Sequence, residues 1–149
     1  MREIDNKFMY LAINEAKKAR SKQEVPVGAV LAGNLNEIIS RGHNRIETDN
    51  SSCSHAEILT IIKASKKLKS WRLNGCTMYV TLEPCIMCMG AIINSRISRL
   101  IYGATDPKGD CRNIAVSGFI PYKLDIIQAD REIEHICAGL IKDFFKEIR

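Results

Sequence analysis

A run of β-forming residues, Cys76-Thr-Met-Tyr-Val-Thr-Leu82, passes through Glu83-Pro84 into two cysteines separated by two residues, Cys85 and Cys88. Proline cannot donate to a strand ladder but suits the first turn of a helix, so the chain must change from strand to helix here. Cysteines at i and i+3 then share one face of that helix. They sit in its first turn, where unpaired amides and the positive end of the helix dipole favour thiolate over thiol. Such a pair is a redox couple, half of a structural metal knuckle, or part of a reactive metal site.

The rest of the chain alternates in the same way. Asp5 is expected to cap a first helix ending near Arg20, with Pro26 blocking its continuation. Residues 27–33, VGAVLAG, have strand character; GNLNE is a turn and EIISRG a returning strand. Residues 45–54 are a polar loop. Ser54 and Glu57 have capping-box spacing for a helix with Ile58, Leu59, Ile61, Ile62 and Leu68 on its buried face. The cysteine helix spans about Cys85 to Ser95. Residues 98–104 and 123–128 are further strands, 105–118 is loop, and Asp130 caps a closing helix to about Lys146. Five strands among helices imply an α/β fold, a three-layer α/β/α sandwich whose opening hairpin makes its five-stranded sheet mixed.

A length of 149 residues fits one domain over 1–149. Hydrophobic residues at 46% and charged residues at 26% argue against disorder. No apolar run approaches the roughly 20 residues of a membrane span, and the N-terminus lacks a signal-peptide block, so a cytoplasmic placing is expected. In a reducing compartment, metal binding or catalysis is a better expectation for a close cysteine pair than a disulfide. Cys53, Cys76, Cys111 and Cys137 read as buried small apolar residues. The net charge is +5, and from Ile58 to Leu82 the chain carries Lys63, Lys66, Lys67, Lys69 and Arg72 with no acid. That strip is either a solvated helix face or, with Arg96, Arg99 and Arg112, a surface for phosphates.

A second triplet bears on the cysteines. His55-Ala56-Glu57 opens the helix before the strand, so the two helix starts flank that strand and can meet in a βαβ unit. One imidazole and two thiolates are three soft ligands suited to zinc. A structural zinc takes four protein ligands, whereas a catalytic one keeps three and leaves a position for water. Cys53 is the nearest candidate for a fourth ligand; His43, His135, Cys111 and Cys137 are less local. The absence of a second CxxC or HxxxH pair favours the open site over a closed zinc site or a redox dithiol. With two thiolates the metal site is formally neutral, which weakens its acidification of water and calls for a nearby base. Glu57, two residues past His55, is that candidate, its alternative being a helix-capping carboxylate. Glu83 reads as structural.

HAE followed by PCIMC resembles the zinc-dependent cytidine deaminase superfamily, whose HxE and PCxxC signature is a general one for zinc deaminases. The segments EVPVGAVLAGNLNEIISRGHN, SHAEI, WRLNGCTMYVTLEPCIMCMGAIINSRISRLIYGATDPKG and CAGLIKDFFKEIR resemble the bacterial tRNA-specific adenosine deaminase family over residues 8–149. The resemblance implies a cytidine deaminase-like fold and hydrolytic deamination of adenosine to inosine at the anticodon wobble position. It implies one Zn²⁺ per subunit, a homodimer, the tRNA anticodon stem-loop as partner, and no membrane. By matching motif, His55, Cys85 and Cys88 would be metal ligands and Glu57 the catalytic proton shuttle. Asn44 would contact the flipped nucleoside, Val27 line the base pocket, and Asp106 lie near the sugar or backbone. The chain departs from the family in DNSSCSHAE, in Met89 and in residues 109–123. Two other readings remain: deamination of free nucleobases or nucleosides (guanine, cytosine or cytidine), and a catalytically silent zinc fold that binds RNA.

Overall fold

The computed structural model describes residues 1–148. The elements run α1 (Glu3–Ser21), β1 (Gly28–Ala32), β2 (Ile38–His43), α2 (Ile46–Asp49), α3 (Ala56–Leu68), β3 (Thr77–Leu82), α4 (Ile86–Asn94), β4 (Arg99–Ala104), α5 (Asp110–Val116), β5 (Asp125–Gln128) and α6 (Arg131–Glu147). The sheet order is β2-β1-β3-β4-β5. β1 runs antiparallel to both β2 and β3, while β3, β4 and β5 are parallel. The expected mixed five-stranded sheet is therefore present, with a hairpin at one edge.

Helices cover both faces, so central strands read as continuous apolar runs rather than as alternating ones. Met78, Val80 and Leu100 pack with Ile61 and Ala64 of α3 and with Met89 and Ile92 of α4. Tyr79 and Ile101 turn to the other face and pack with Phe8 and Ile13 of α1 and Ile133 and Cys137 of α6. This gives the three layers, and it fixes α3 and α4 on the same side of β3.

Four local expectations are corrected. Asp5 does not precede the first helix; α1 starts at Glu3, and Asp5 lies in its first turn, accepting the Arg2 backbone N–H at 2.8 Å. Its carboxylate is fully buried and bonded to Tyr79 and Arg99, a partnership no local pattern announces. Ser54 does not cap α3, because its hydroxyl donates to Asp49; His55 holds the cap position instead. The buried face of α3 is Ala56, Thr60, Ile61 and Ala64, with Ile62 and Leu68 exposed. Close approach selects these small residues: a Cβ at Gly42 of β2 would lie 3.0 Å from Thr60 Oγ1. The expected loops at 45–54 and 105–118 contain the short helices α2 and α5. Asp130 does occupy the cap position of α6, without a side-chain cap bond.

Candidate active site

β3 separates the two helix starts in sequence and brings them together in space. His55 is the N-cap of α3 and Cys85 the N-cap of α4, both with extended backbone. A cap residue stands just outside its helix, so its side chain reaches past the end toward the unpaired amides. Cys88 sits one turn into α4, fully buried. His55 Nδ1 lies 3.6 Å from Cys85 Sγ and 3.5 Å from Cys88 Sγ. All three donor atoms fall within 4.8 Å of one another.

These distances can be tested against an ion. A tetrahedral zinc about 2.3 Å from sulfur and about 2.0 Å from nitrogen separates those ligands by about 3.6 Å. The nitrogen-to-sulfur spacings match, so the imidazole stands at a zinc-like distance from each sulfur. Cys53, the candidate fourth ligand, is exposed and does not belong to the group. Among the described residues the cluster therefore offers three protein ligands, the open form. Cys76, Cys111 and Cys137 are buried as expected; Cys53 is the exception.

The three groups share protons unevenly. Hydrogen bonding from the Cys88 thiol, then from the His55 ring, holds Cys85 down at about 3. The bond to Cys85 raises His55 in turn, and the Cys85 thiolate pushes the Cys88 thiol up. Glu57, in the first turn of α3 and 3% exposed, is raised chiefly by burial. A carboxyl driven toward neutrality by its surroundings is one that can both accept and return a proton.

A cavity of about 200 Å³ opens over this cluster, and His55, Glu57 and Cys85 line it together with Val27, Asn44 and Asp106. All the site residues singled out in the sequence except Cys88 therefore border one space, Cys88 being buried beneath it. Asn44 is 5% exposed and held on both sides. Its Nδ2 donates to the Val25 carbonyl at 3.2 Å, and its Oδ1 accepts the Ile46 N–H at 3.1 Å. Val25, Ile46 and Lys108 also line the cavity, with Ala56, Leu82 and Glu83, and were not anticipated as site residues. Val25 and Ile46 carry no polar signal, and Lys108 reads as an ordinary turn lysine. A second cavity of about 720 Å³ adjoins the first, sharing Val25, Asn44 and Ile46 and walled by Phe144 and Phe145 near the end of α6.

Carboxylates from distant parts of the chain hold the rim. Glu24, 1% exposed, accepts the N–H groups of Glu47 (3.0 Å) and Thr48 (2.7 Å) and the Thr48 hydroxyl (2.6 Å) at the start of α2. Glu83 accepts the N–H of Asp106 (2.9 Å) and that of Arg112 (3.2 Å) in the first turn of α5. Asp110 accepts the N–H of Ile86 at the start of α4 (3.1 Å). Glu83 is thus a structural residue, as expected. Two arginines considered for phosphates are committed elsewhere: Arg99 to buried Asp5 and Arg112 to buried Glu83.

The sequence of a tRNA-specific adenosine deaminase from Bacillus subtilis (strain 168) is 46% identical over 149 residues, covering 97% of this chain and 91% of that protein. The description of MafB19-like deaminases matches residues 4–149. The chain belongs to the tRNA-specific adenosine deaminase family. A solved structure from work on A-to-I editing by tRNA:A34 deaminases at the wobble position of transfer RNA is similar at a TM-score of 0.83 and 39% identity, covering 91% of this chain and 99% of that one. A guanine deaminase from Nitrosomonas europaea shares the fold, with a TM-score of 0.74 at 20% identity over 92% of this chain and 82% of that one. The deaminase family is zinc-dependent in general, and the His55–Cys85–Cys88 group is where this member can hold a metal. Among the described residues no helix is long and apolar enough to cross a membrane.

Proposed function

We propose that this chain hydrolyses adenosine to inosine at the wobble position of a tRNA anticodon, releasing ammonia. The observation that carries the reading is the three-ligand cluster with Glu57 beside it in one small pocket, in a chain 46% identical to a tRNA-specific adenosine deaminase. Bound by His55 Nδ1, Cys85 Sγ and Cys88 Sγ, one zinc per chain would supply Lewis-acid activation of water. Glu57 takes the proton of the water that attacks C6 and places it on ring N1. It then takes the second water proton, from the hydroxyl now on C6, and hands it to the departing amino group, so that water and adenosine yield inosine and ammonia.

Asn44 orients the base. Its two anchoring bonds leave one N–H and one lone pair of the amide free for the nucleoside. Val27 packs on the base, and Asp106 receives the sugar or its backbone. A single-stranded loop gives up a base at little unstacking cost, and the adjoining larger cavity has room for neighbouring nucleotides. The chain acts as a cytoplasmic homodimer; exposed Ile86, Val116 and Phe119 are apolar surface that a second copy would cover.

The deciding experiment offers the purified zinc-loaded protein an anticodon stem-loop bearing adenosine at the wobble position, together with free guanine, cytosine and cytidine. Inosine in the stem-loop alone is the expected result. Turnover of a free base with none in the RNA would replace this reading with the nucleobase one.

A further inference from the structure

A line of cations follows the free edge of the sheet away from the pocket. β2 is the edge strand, pairing only with β1. On its α1 side, Glu15 is 4% exposed and acts as an anchor. It binds Lys18 Nζ at 2.7 Å and His43 Nδ1 at 3.3 Å, with Arg41 Nε at 3.9 Å. His43 Nε2 lies 3.3 Å from Lys22 Nζ. An ammonium can only donate, so His43 is neutral there, with its Nδ1–H given to Glu15 and its Nε2 receiving Lys22. Burial holds the ring's pKa below the usual value, in keeping with that state. From the α3 side, Lys63 Nζ crosses the edge to the Arg41 carbonyl (3.0 Å) and Lys67 Nζ to the Ile39 carbonyl (3.2 Å).

The side chains of Lys18 and Arg41 are about half exposed, and Lys22, Lys63 and Lys67 lie at the surface. The anchoring carboxylate is hidden, so positive charge faces outward. The line begins at the pocket: His43 precedes Asn44, and Lys22 stands three residues before Val25, both of which line the cavity. At about 3.3 Å per residue, Ile39 to His43 extends it over about 13 Å of strand.

We propose that Lys22, Arg41 and Lys63 form a track for the phosphate backbone of the substrate RNA where it leaves the pocket. This rests on the reading of the substrate as an anticodon stem-loop. The basic helix face of the sequence acquires a direction, because Lys63 and Lys67 are drawn to the β2 edge rather than left free in solvent. Lysines sealing a sheet edge also block strand addition; the alternative is that these residues do only that.

The test compares the holoenzyme with Lys22→Gln/Arg41→Gln/Lys63→Gln and with Lys7→Gln/Lys17→Gln/Lys123→Gln, which removes equal charge elsewhere. KM for inosine formation in the stem-loop is measured from 50 to 200 mM salt. Each phosphate contact contributes about 0.7–0.9 to the slope of log affinity against log salt. Losing three contacts therefore lowers the slope by about 2 and raises KM about tenfold or more at low salt, the loss falling on KM rather than kcat. Equal shifts in both triple variants, or none in the first, overturn the track. Precipitation of the first variant with an unchanged KM for its soluble fraction assigns the residues to edge protection alone and overturns it too. Should the triple variant fail to fold, Lys22→Gln alone is expected to lower the slope by somewhat under 1, and an unchanged slope counts against the track. A wild-type protein that forms no inosine at any salt refutes the substrate reading instead, so the two failures are distinct.

Discussion

Arg112 Nε lies 3.0 Å from each carboxylate oxygen of Glu83, whose side chain has no exposed surface. The same guanidinium donates to the Asp106 carbonyl at 2.8 Å. Glu83 immediately precedes the Pro84-Cys85 junction, and Asp106 and Lys108 border the pocket. One ion pair therefore ties the wall of the pocket to the segment that delivers Cys85 and Cys88, the proposed metal ligands.

Removing the arginine leaves Glu83 with two backbone donors, so Arg112→Ala is expected to fold. Its guanidinium is half exposed and screened by solvent, which keeps the cost small. Glu83→Ala orphans two N–H groups and is expected to cost about 2–4 kcal/mol. Thermal melts should rank the two in that order. KM for the stem-loop should rise in both while zinc content holds. A Glu83→Ala protein with wild-type Tm and KM would remove the tie from the account.

Glu57→Gln keeps the shape of the side chain but cannot cycle a proton. Turnover is expected to fall by about 10³ or more with metal content unchanged. Elemental analysis beside single-turnover kinetics separates a lost shuttle from a lost metal. Near-normal rates in a zinc-replete Glu57→Gln protein would assign the carboxylate to capping alone.

Cys88 is the most buried of the three proposed ligands. Cys88→Ala is expected to abolish stoichiometric zinc binding and activity together. In the wild-type protein, chelation should stop turnover and added zinc should restore it. Full zinc occupancy in Cys88→Ala would mean that a different ligand set holds the ion.

Asp5 makes a prediction about acid. Burial alone would raise its carboxyl, but bonds from Arg99, Tyr79 and Arg2 outweigh burial and hold it well below the usual carboxylate range. A depressed native pKa gives stability that is complete above the unfolded value of about 3.9 and is lost as pH falls through the native value. Asp5→Asn should therefore be less stable by about 3 kcal/mol at pH 7, with the gap closing below about pH 4. Urea melts across that range measure it; a gap independent of pH would contradict the ion-pair account.

Much of the fold could be read from local patterns. The strands at 28–32, 77–82 and 99–104 appeared as apolar runs because both sheet faces are covered, and 38–43 appeared as the returning arm of a hairpin. HAE and PCIMC pointed to one site because a histidine before a helix and cysteines in the first turn of the next can meet only across an intervening strand. The short helices α2 and α5 escaped notice because their first turns are satisfied by Glu24 and Glu83, residues 23 to 29 positions away. Local capping rules cannot detect a cap of that kind. The basic strip was visible as composition, but Arg99 and Arg112 look identical in sequence to free arginines.

What the sequence determined by itself was the set of reactive groups and the helix turns that carry them, since i to i+3 spacing acts within one turn. Tertiary structure decided which partners separated by twenty or more residues face each other. It left Cys53 outside the cluster, buried Asp5 against Arg99 and lined the pocket with Val25, Ile46 and Lys108. Those outcomes depend on how the layers pack, because the energy of a buried charge is set by neighbours that the chain brings together only when it closes.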